Sequence, residues 1–132
     1  MKQTKKQTLP PPRKSNERTP VELEMQRQVG KRMKCIRLWK GYMQSTMAEM
    51  LGAVQSTYSK WENGKQQAPY HVLAEICWKM RITADFLLLE EWKDDARLPL
   101  SFRQFLEKAQ KHGSEDFLER IDMDLRRGKR KS

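Results

Sequence analysis

Residues 44–64 read Gln-Ser-Thr-Met-Ala-Glu-Met-Leu-Gly-Ala-Val-Gln-Ser-Thr-Tyr-Ser-Lys-Trp-Glu-Asn-Gly, two short helical patterns that meet at Gly52. In the first, Met47, Ala48 and Leu51 recur at i, i+1 and i+4, which gathers them on one edge and leaves Ser45, Thr46 and Glu49 to water. Gly52 is the expected stop, because a residue just past a helix end commonly needs positive φ and glycine has no Cβ to clash there. Ala53 and Val54 add a small apolar corner. In the second pattern Tyr58 and Trp61 stand three apart on one face, and Asn63-Gly64 closes it. Two short helices joined at a glycine are the arrangement of a helix-turn-helix.

The other face of the second helix holds Gln55, Ser56, Thr57, Ser59 and Lys60. Glutamine can bond adenine at two points, lysine can reach guanine or a phosphate, and short hydroxyls let a helix lie close to base edges. Any surface helix can carry such residues, so the stripe gains meaning only from its surroundings.

Those surroundings resemble the lambda-repressor-like domain of the Cro/XRE transcriptional regulators from about Val29 to Leu88. The similarity runs through Val-Gly-Lys-Arg-Met at 29–33, Ile36-Arg37, Gly41-Tyr42, Gln44, Met47-Ala48-Glu49, Leu51-Gly52 and Tyr-Ser-Lys-Trp-Glu-Asn-Gly-Lys at 58–65. It continues through Pro69 and Met-Arg-Ile-Thr-Ala-Asp-Phe-Leu-Leu at 80–88. Several matched segments in one order are a specific signal, where a lone helix-turn-helix match is weak.

The resemblance implies an all-α fold, a compact five-helix bundle whose third helix enters the major groove of double-stranded DNA. It implies a sequence-specific transcriptional regulator, a repressor, prokaryotic or phage. Gln55, Ser56 and Lys60 would read bases, with Thr57 and Ser59 secondary. Gln44, Asn63, Lys65 and Gln66 would meet phosphate, since the start of the second helix and the loop after the third lie beside the DNA backbone. Arg37 would pair with Glu62 in a structural role, alongside Gly52, Tyr58 and Trp61. Four positions depart from the pattern. Met43 replaces the usual Ser or Thr cap, which weakens that helix start by roughly 1 kcal/mol unless Thr46 and Glu49 cap a shortened helix. Arg81 stands where a glycine often turns the chain, Cys77 where a small alanine is usual, and Met47 replaces leucine.

Composition agrees with an anionic partner. The 132 residues carry a formal net charge of +10 and only 37% hydrophobic content, which suits one domain plus tails. No apolar run approaches the ~20 residues that span a bilayer, and the start of the chain has no signal-peptide core, so a cytoplasmic protein, nucleoid-associated when bound, is expected. Cys35 and Cys77 lie on separate helical patterns without ligand spacing, and His71 and His112 have no ligating neighbours. The expectation is no metal, no cofactor and no enzyme: a phosphate loop, a nucleophile elbow and a His-Glu-x-x-His run are all missing from the sequence.

Outward from the centre, residues 1–20 read as a flexible basic arm, with Lys2, Lys5, Lys6, Arg13, Lys14 and Arg18 against the single acid Glu17 and a triple proline at 10–12. Such an arm either follows phosphates or only solubilises the chain. The helix-turn-helix domain is expected over 21–90. Thr19-Pro20 with Glu22 predicts a capping box opening a first helix that runs to Gly41. Leu23, Met25, Val29, Met33, Ile36 and Trp39 form its apolar stripe, and Lys31, Arg32, Lys34, Arg37 and Lys40 make its other faces basic. Val72, Leu73, Ile76, Cys77 and Met80 predict a fourth helix, and Thr83 caps a fifth that turns Phe86 and Leu87 inward. The acidic run Glu90, Glu91, Asp94 and Asp95 should lie away from bound DNA.

Residues 91–127 form a C-terminal helical extension. Ser101 caps one helix, with Phe102, Phe105, Leu106 and Ala109 on its apolar face, and Ser114 caps another, with Phe117, Leu118, Ile121 and Leu125. Glu115, Asp116, Glu119, Asp122 and Asp124 make the rest of that last helix acidic. The two apolar faces have two possible destinations: the helix-turn-helix domain itself, or a second copy in a homodimer whose paired recognition helices read half-sites about one turn apart. Residues 128–132 are a basic tail. Two further readings remain: an antitoxin whose C-terminal helices cover a toxin while the domain represses its own operon, and a phage accessory protein that uses the fold to bind protein.

Overall fold

The computed structural model describes residues 17–128, so most of the basic arm and all of the tail beyond Gly128 lie outside the described residues. Seven helices and no strand are found among the described residues: α1 (Pro20–Lys40), α2 (Gln44–Met50), α3 (Gln55–Glu62), α4 (Tyr70–Met80), α5 (Ala84–Leu89), α6 (Leu100–Lys111) and α7 (Ser114–Arg126).

The helix starts follow local chemistry, with exceptions. The Thr19 hydroxyl accepts from Glu22 N–H at 3.1 Å, and Glu22 Oε1 accepts from Thr19 N–H at 2.9 Å, the reciprocal box expected. Thr83 caps α5 by accepting from Phe86 N–H at 3.2 Å. The Thr46–Glu49 alternative is not used: α2 begins at Gln44 with Met43 in the cap position and no side-chain bond to the helix. Ser101 and Ser114 are not caps either. Pro99 and Gly113 hold those positions, which puts each serine inside its helix. Arg81, where the resemblance led one to expect a glycine, takes left-handed φ and ψ of 59° and 40° at the end of α4, a conformation that costs an L-residue roughly 1–2 kcal/mol.

Helix α1 is the axis, packing against α3, α5, α6 and α7, while α2 rests on α3 and α4 on α5. Val29, Met33 and Ile36 are buried as their spacing predicts, but Leu23 and Met25 are exposed because the first turns of α1 project beyond the core. Leu38, outside the predicted stripe, is buried instead, under Ile121 and Leu125. Val54 is largely exposed rather than part of an apolar corner.

The two C-terminal helices fold back. Phe102 of α6 is completely buried, its ring 4.7 Å from that of Trp39 on α1 and 5.1 Å from that of Phe86 on α5. Burying such a ring stabilises by roughly 1.5–3 kcal/mol, and Trp92, Leu98 and Leu106 join the same core. The apolar core therefore has no break at residue 90. Helix α7 closes a second, smaller cluster in which Ile121 and Leu125 cover Leu38, with Phe105, Phe117 and Leu118 at its edge.

Candidate nucleic-acid interface

Helix α3 divides its residues between inside and outside by helical geometry. Tyr58, Trp61 and Glu62, at i, i+3 and i+4, are buried, while Gln55, Ser56 and Lys60 are exposed and Thr57 and Ser59 half-buried at the margin. The structure thus brings the three primary base-reading candidates onto one accessible stripe. Asn63 continues it, donating from its amide to the Ser59 hydroxyl at 3.3 Å.

The loop after α3 wraps back over the helix end. Lys65 N–H and Gln66 N–H both donate to the Lys60 carbonyl, at 2.9 and 3.3 Å, which leaves the Lys65 and Gln66 side chains exposed beside the stripe. From behind, the Gln26 amide donates to the Gly64 carbonyl at 2.9 Å and ties that loop to α1. Gln26 is a positioning side chain that sequence reasoning missed; its signal is a position one turn before Val29 and Gly30 on the buried face of α1.

Beneath the stripe lies a buried polar network. Arg37 Nε and Nη2 donate to Glu62 Oε2 and Oε1 at 2.6 and 3.2 Å, the pair that the resemblance implied. Tyr58 donates its hydroxyl to Glu62 Oε2 at 2.5 Å, and Gln44 Nε2 donates to Glu62 Oε1 at 3.0 Å. The Gln44 amide is therefore engaged with the last residue of α3, and this bond fixes the start of α2 against the end of α3. Arg37 Nη1 donates to the Tyr42 carbonyl at 2.7 Å and to Asp122 Oδ1 at 3.3 Å. Burial alone lowers the pKa of Arg37, but its bonds to Glu62 and the nearby Asp122 outweigh that and raise it, so it stays charged. Burial and the Glu62 carboxylate both push the Tyr58 hydroxyl well above its ordinary range and keep it a donor.

Asp122 is the main departure from expectation. Sequence reasoning put it on the solvated acidic side of the last helix, whereas it is 2% exposed. The legible signal was its spacing, one residue after Ile121, four after Leu118 and three before Leu125, all on the inner face. The exposed acids of α7 act differently. Glu115 meets Lys31 at 3.2 Å and Glu119 meets Lys34 at 3.0 Å, while Arg32 donates to the Leu87 carbonyl and lies 3.7 Å from Glu90. The basic side of α1 is thus partly neutralised from within the chain.

The remaining titratable candidates take no part. Cys35 is buried, Cys77 half-buried, both are free thiols, and His71 and His112 are exposed. Among the described residues no group of His, Cys, Asp or Glu could hold a metal ion, and no helix is long and apolar enough to cross a membrane.

One comparison with known proteins falls on the same segment. Residues 33–87 match the model of the family described as helix-turn-helix. The chain is 37% identical over 59 residues to the SPbeta prophage-derived uncharacterized HTH-type transcriptional regulator YonR of Bacillus subtilis (strain 168), a match covering 45% of this chain and 55% of that protein. The chain thus spans about half the length of the curated relative it matches. No solved structure gives a significant match.

Proposed function

We propose that residues 33–87, which match the helix-turn-helix family model, form a domain of the Cro/XRE type, and that the chain is a sequence-specific, double-stranded DNA-binding transcriptional regulator that reads the major groove with α3. The observation that carries the reading is the division of α3: Gln55, Ser56 and Lys60 face outward while Tyr58, Trp61 and Glu62 lock the opposite face into the core. A rigid helix offering bidentate and cationic side chains to the outside is what base-edge recognition needs. Thr57 and Ser59 are secondary readers, and Asn63, Lys65, Gln66 and the start of α2 at Gln44 hold phosphate. We further propose a repressor acting in the cytoplasm as a homodimer, because one short recognition helix covers few base pairs. We place the dimer surface elsewhere than the apolar faces of α6 and α7, because Phe102, Leu106, Ile121 and Leu125 are buried within the chain. The same burial favours the regulator reading over an antitoxin that covers a toxin with these helices.

The test is selection of bound duplexes from a randomised pool at physiological salt, followed by Gln55→Ala on the selected sequence. A palindromic motif is expected, with Gln55→Ala costing about 1–3 kcal/mol on that sequence and little on random DNA. Retention without any motif would reduce the protein to a general DNA binder. No retention would overturn the proposal.

A further inference from the structure

We propose that Asp122, far from the reading surface, is a positioning residue for DNA recognition: through Arg37 it sets the pose in which Glu62 and Gln44 hold α2 and α3. The inference rests on the DNA-binding reading above and adds to it a role for the C-terminal helix.

Among the described residues Arg37 is the one buried cation, and it lies between two buried carboxylates, with Arg37 at 0%, Asp122 at 2% and Glu62 at 5% exposure. Its guanidinium is planar, so the direction in which Nη1 is held dictates the direction in which Nε and Nη2 present themselves to Glu62. Asp122 Oδ1 and the Tyr42 carbonyl hold Nη1. Glu62 in turn receives Tyr58 from within α3 and Gln44 from α2. On its other oxygen Asp122 accepts from Arg126 Nη2 at 2.8 Å and lies 3.8 Å from Lys34 Nζ. A continuous chain of charged bonds thus runs from the outer edge of α7, through α1, to the first residue of α2 and the last of α3. Hydrophobic packing of Ile121 and Leu125 on Leu38 would hold α7 in place without it. A buried acid at this point serves orientation, and in a low-dielectric interior removing it leaves Arg37 free to rotate toward Glu62 alone.

Asp122→Asn in the full chain is the direct test, since it preserves shape and removes the charge. Affinity for the selected duplex and for a random duplex is measured at one salt concentration, beside circular dichroism, thermal melting and amide hydrogen exchange of α2 and α3. The expected result is a folded protein whose affinity for the selected duplex falls about tenfold while random binding is unchanged, a typical coupling between linked sites, with faster exchange in α2 and α3. Asp122→Glu should recover part of the loss. If Asp122→Asn does not fold, Lys34→Ala with Arg126→Ala loosens Asp122 from the outside and should lower selected-duplex affinity in the same direction by less. A folded variant with both affinities unchanged, or with both falling in parallel, would overturn the role of Asp122. A wild type with no sequence preference would instead overturn the DNA-reading premise, and the two failures are told apart by the wild-type measurement alone.

Discussion

Gly30 on α1 lies so close beneath the end of α3 that a β-carbon there would sit 2.3 Å from the carbonyl oxygen of Trp61 and 2.7 Å from that of Glu62. Helices α1 and α3 therefore touch backbone to backbone, a distance only glycine permits. In an open helix Gly→Ala would stabilise by roughly 0.5–1 kcal/mol. Here both opposing atoms belong to the main chain and cannot swing aside, so Gly30→Ala should destabilise by about 3 kcal/mol or more, at the upper end of overpacking costs. Gly52→Ala is the internal comparison: its φ of 69° disfavours alanine, but nothing lies within 4 Å of the new carbon. A loss of about 1–2 kcal/mol is expected there. Urea denaturation of both variants decides it, and Gly52→Ala proving the more damaging would contradict the close approach.

The Arg37–Glu62 pair should be costly to break from one side. Neither side chain is more than 1% exposed. Glu62→Gln leaves the Arg37 cation with only Asp122 as a carboxylate partner and exchanges one of the two oxygens that accept from Arg37, Gln44 and Tyr58 for an amide donor, so a loss of about 3 kcal/mol is expected. Chemical denaturation reads the change directly. A loss below about 1 kcal/mol would be the behaviour of a surface pair and would mean the network contributes little.

At the start of α2 the sequence leaves stability unused. Met43 holds the cap position in extended geometry with φ and ψ of −77° and 163°, makes no side-chain bond to the helix, and is 44% exposed. Met43→Ser places a hydroxyl where it can accept from a free helical N–H and should raise stability by about 1 kcal/mol. Thermal melting checks it: an unchanged or lower midpoint would show that the half-exposed methionine is worth more in packing than a cap.

Cys35 predicts an alkaline limit. Burial first, and the Glu90 carboxylate second, push its thiol from 9.0 up to about 12. Below pH 9 the thiol is protonated in both folded and unfolded chains and adds no pH dependence. Between pH 9 and about 12 the unfolded chain releases a proton that the folded chain retains, so stability falls as pH rises, with a slope reaching about 1.4 kcal/mol per pH unit. Tyr58, also shifted upward, adds to the fall at higher pH. Denaturation midpoints across this range should decline in the wild type and less steeply in Cys35→Ala. A flat profile to pH 11 would refute the burial of the thiol.

Much of this protein was legible in its residues. Helix starts at Thr19 and Thr83, the stop at Gly52 and the inward set Met47, Ala48, Tyr58, Trp61, Val72 and Ile76 follow from rules that act within one or two turns of chain. The outward stripe of α3 follows from the same periodicity. Ser101 and Ser114 were misread because Pro99 and Gly113, each standing one or two residues earlier, already supply a helix entry, and a cap is decided by backbone geometry rather than by the presence of a hydroxyl.

What lay beyond the sequence was the partner of each surface across long separations. Periodicity identified the apolar faces of α6 and α7 but is blind to what covers them; the wedge of Phe102 between Trp39 and Phe86 decided for fold-back over self-pairing of those faces. Asp122 carries the same side chain as Asp124, two positions on, yet it is the one buried against Arg37, 85 positions earlier in the chain. Local propensity and spacing determine which helices form and which residues face inward, because those energies arise between near neighbours. Which acid is buried against which base depends on how whole helices dock, and that is settled by packing and desolvation in three dimensions.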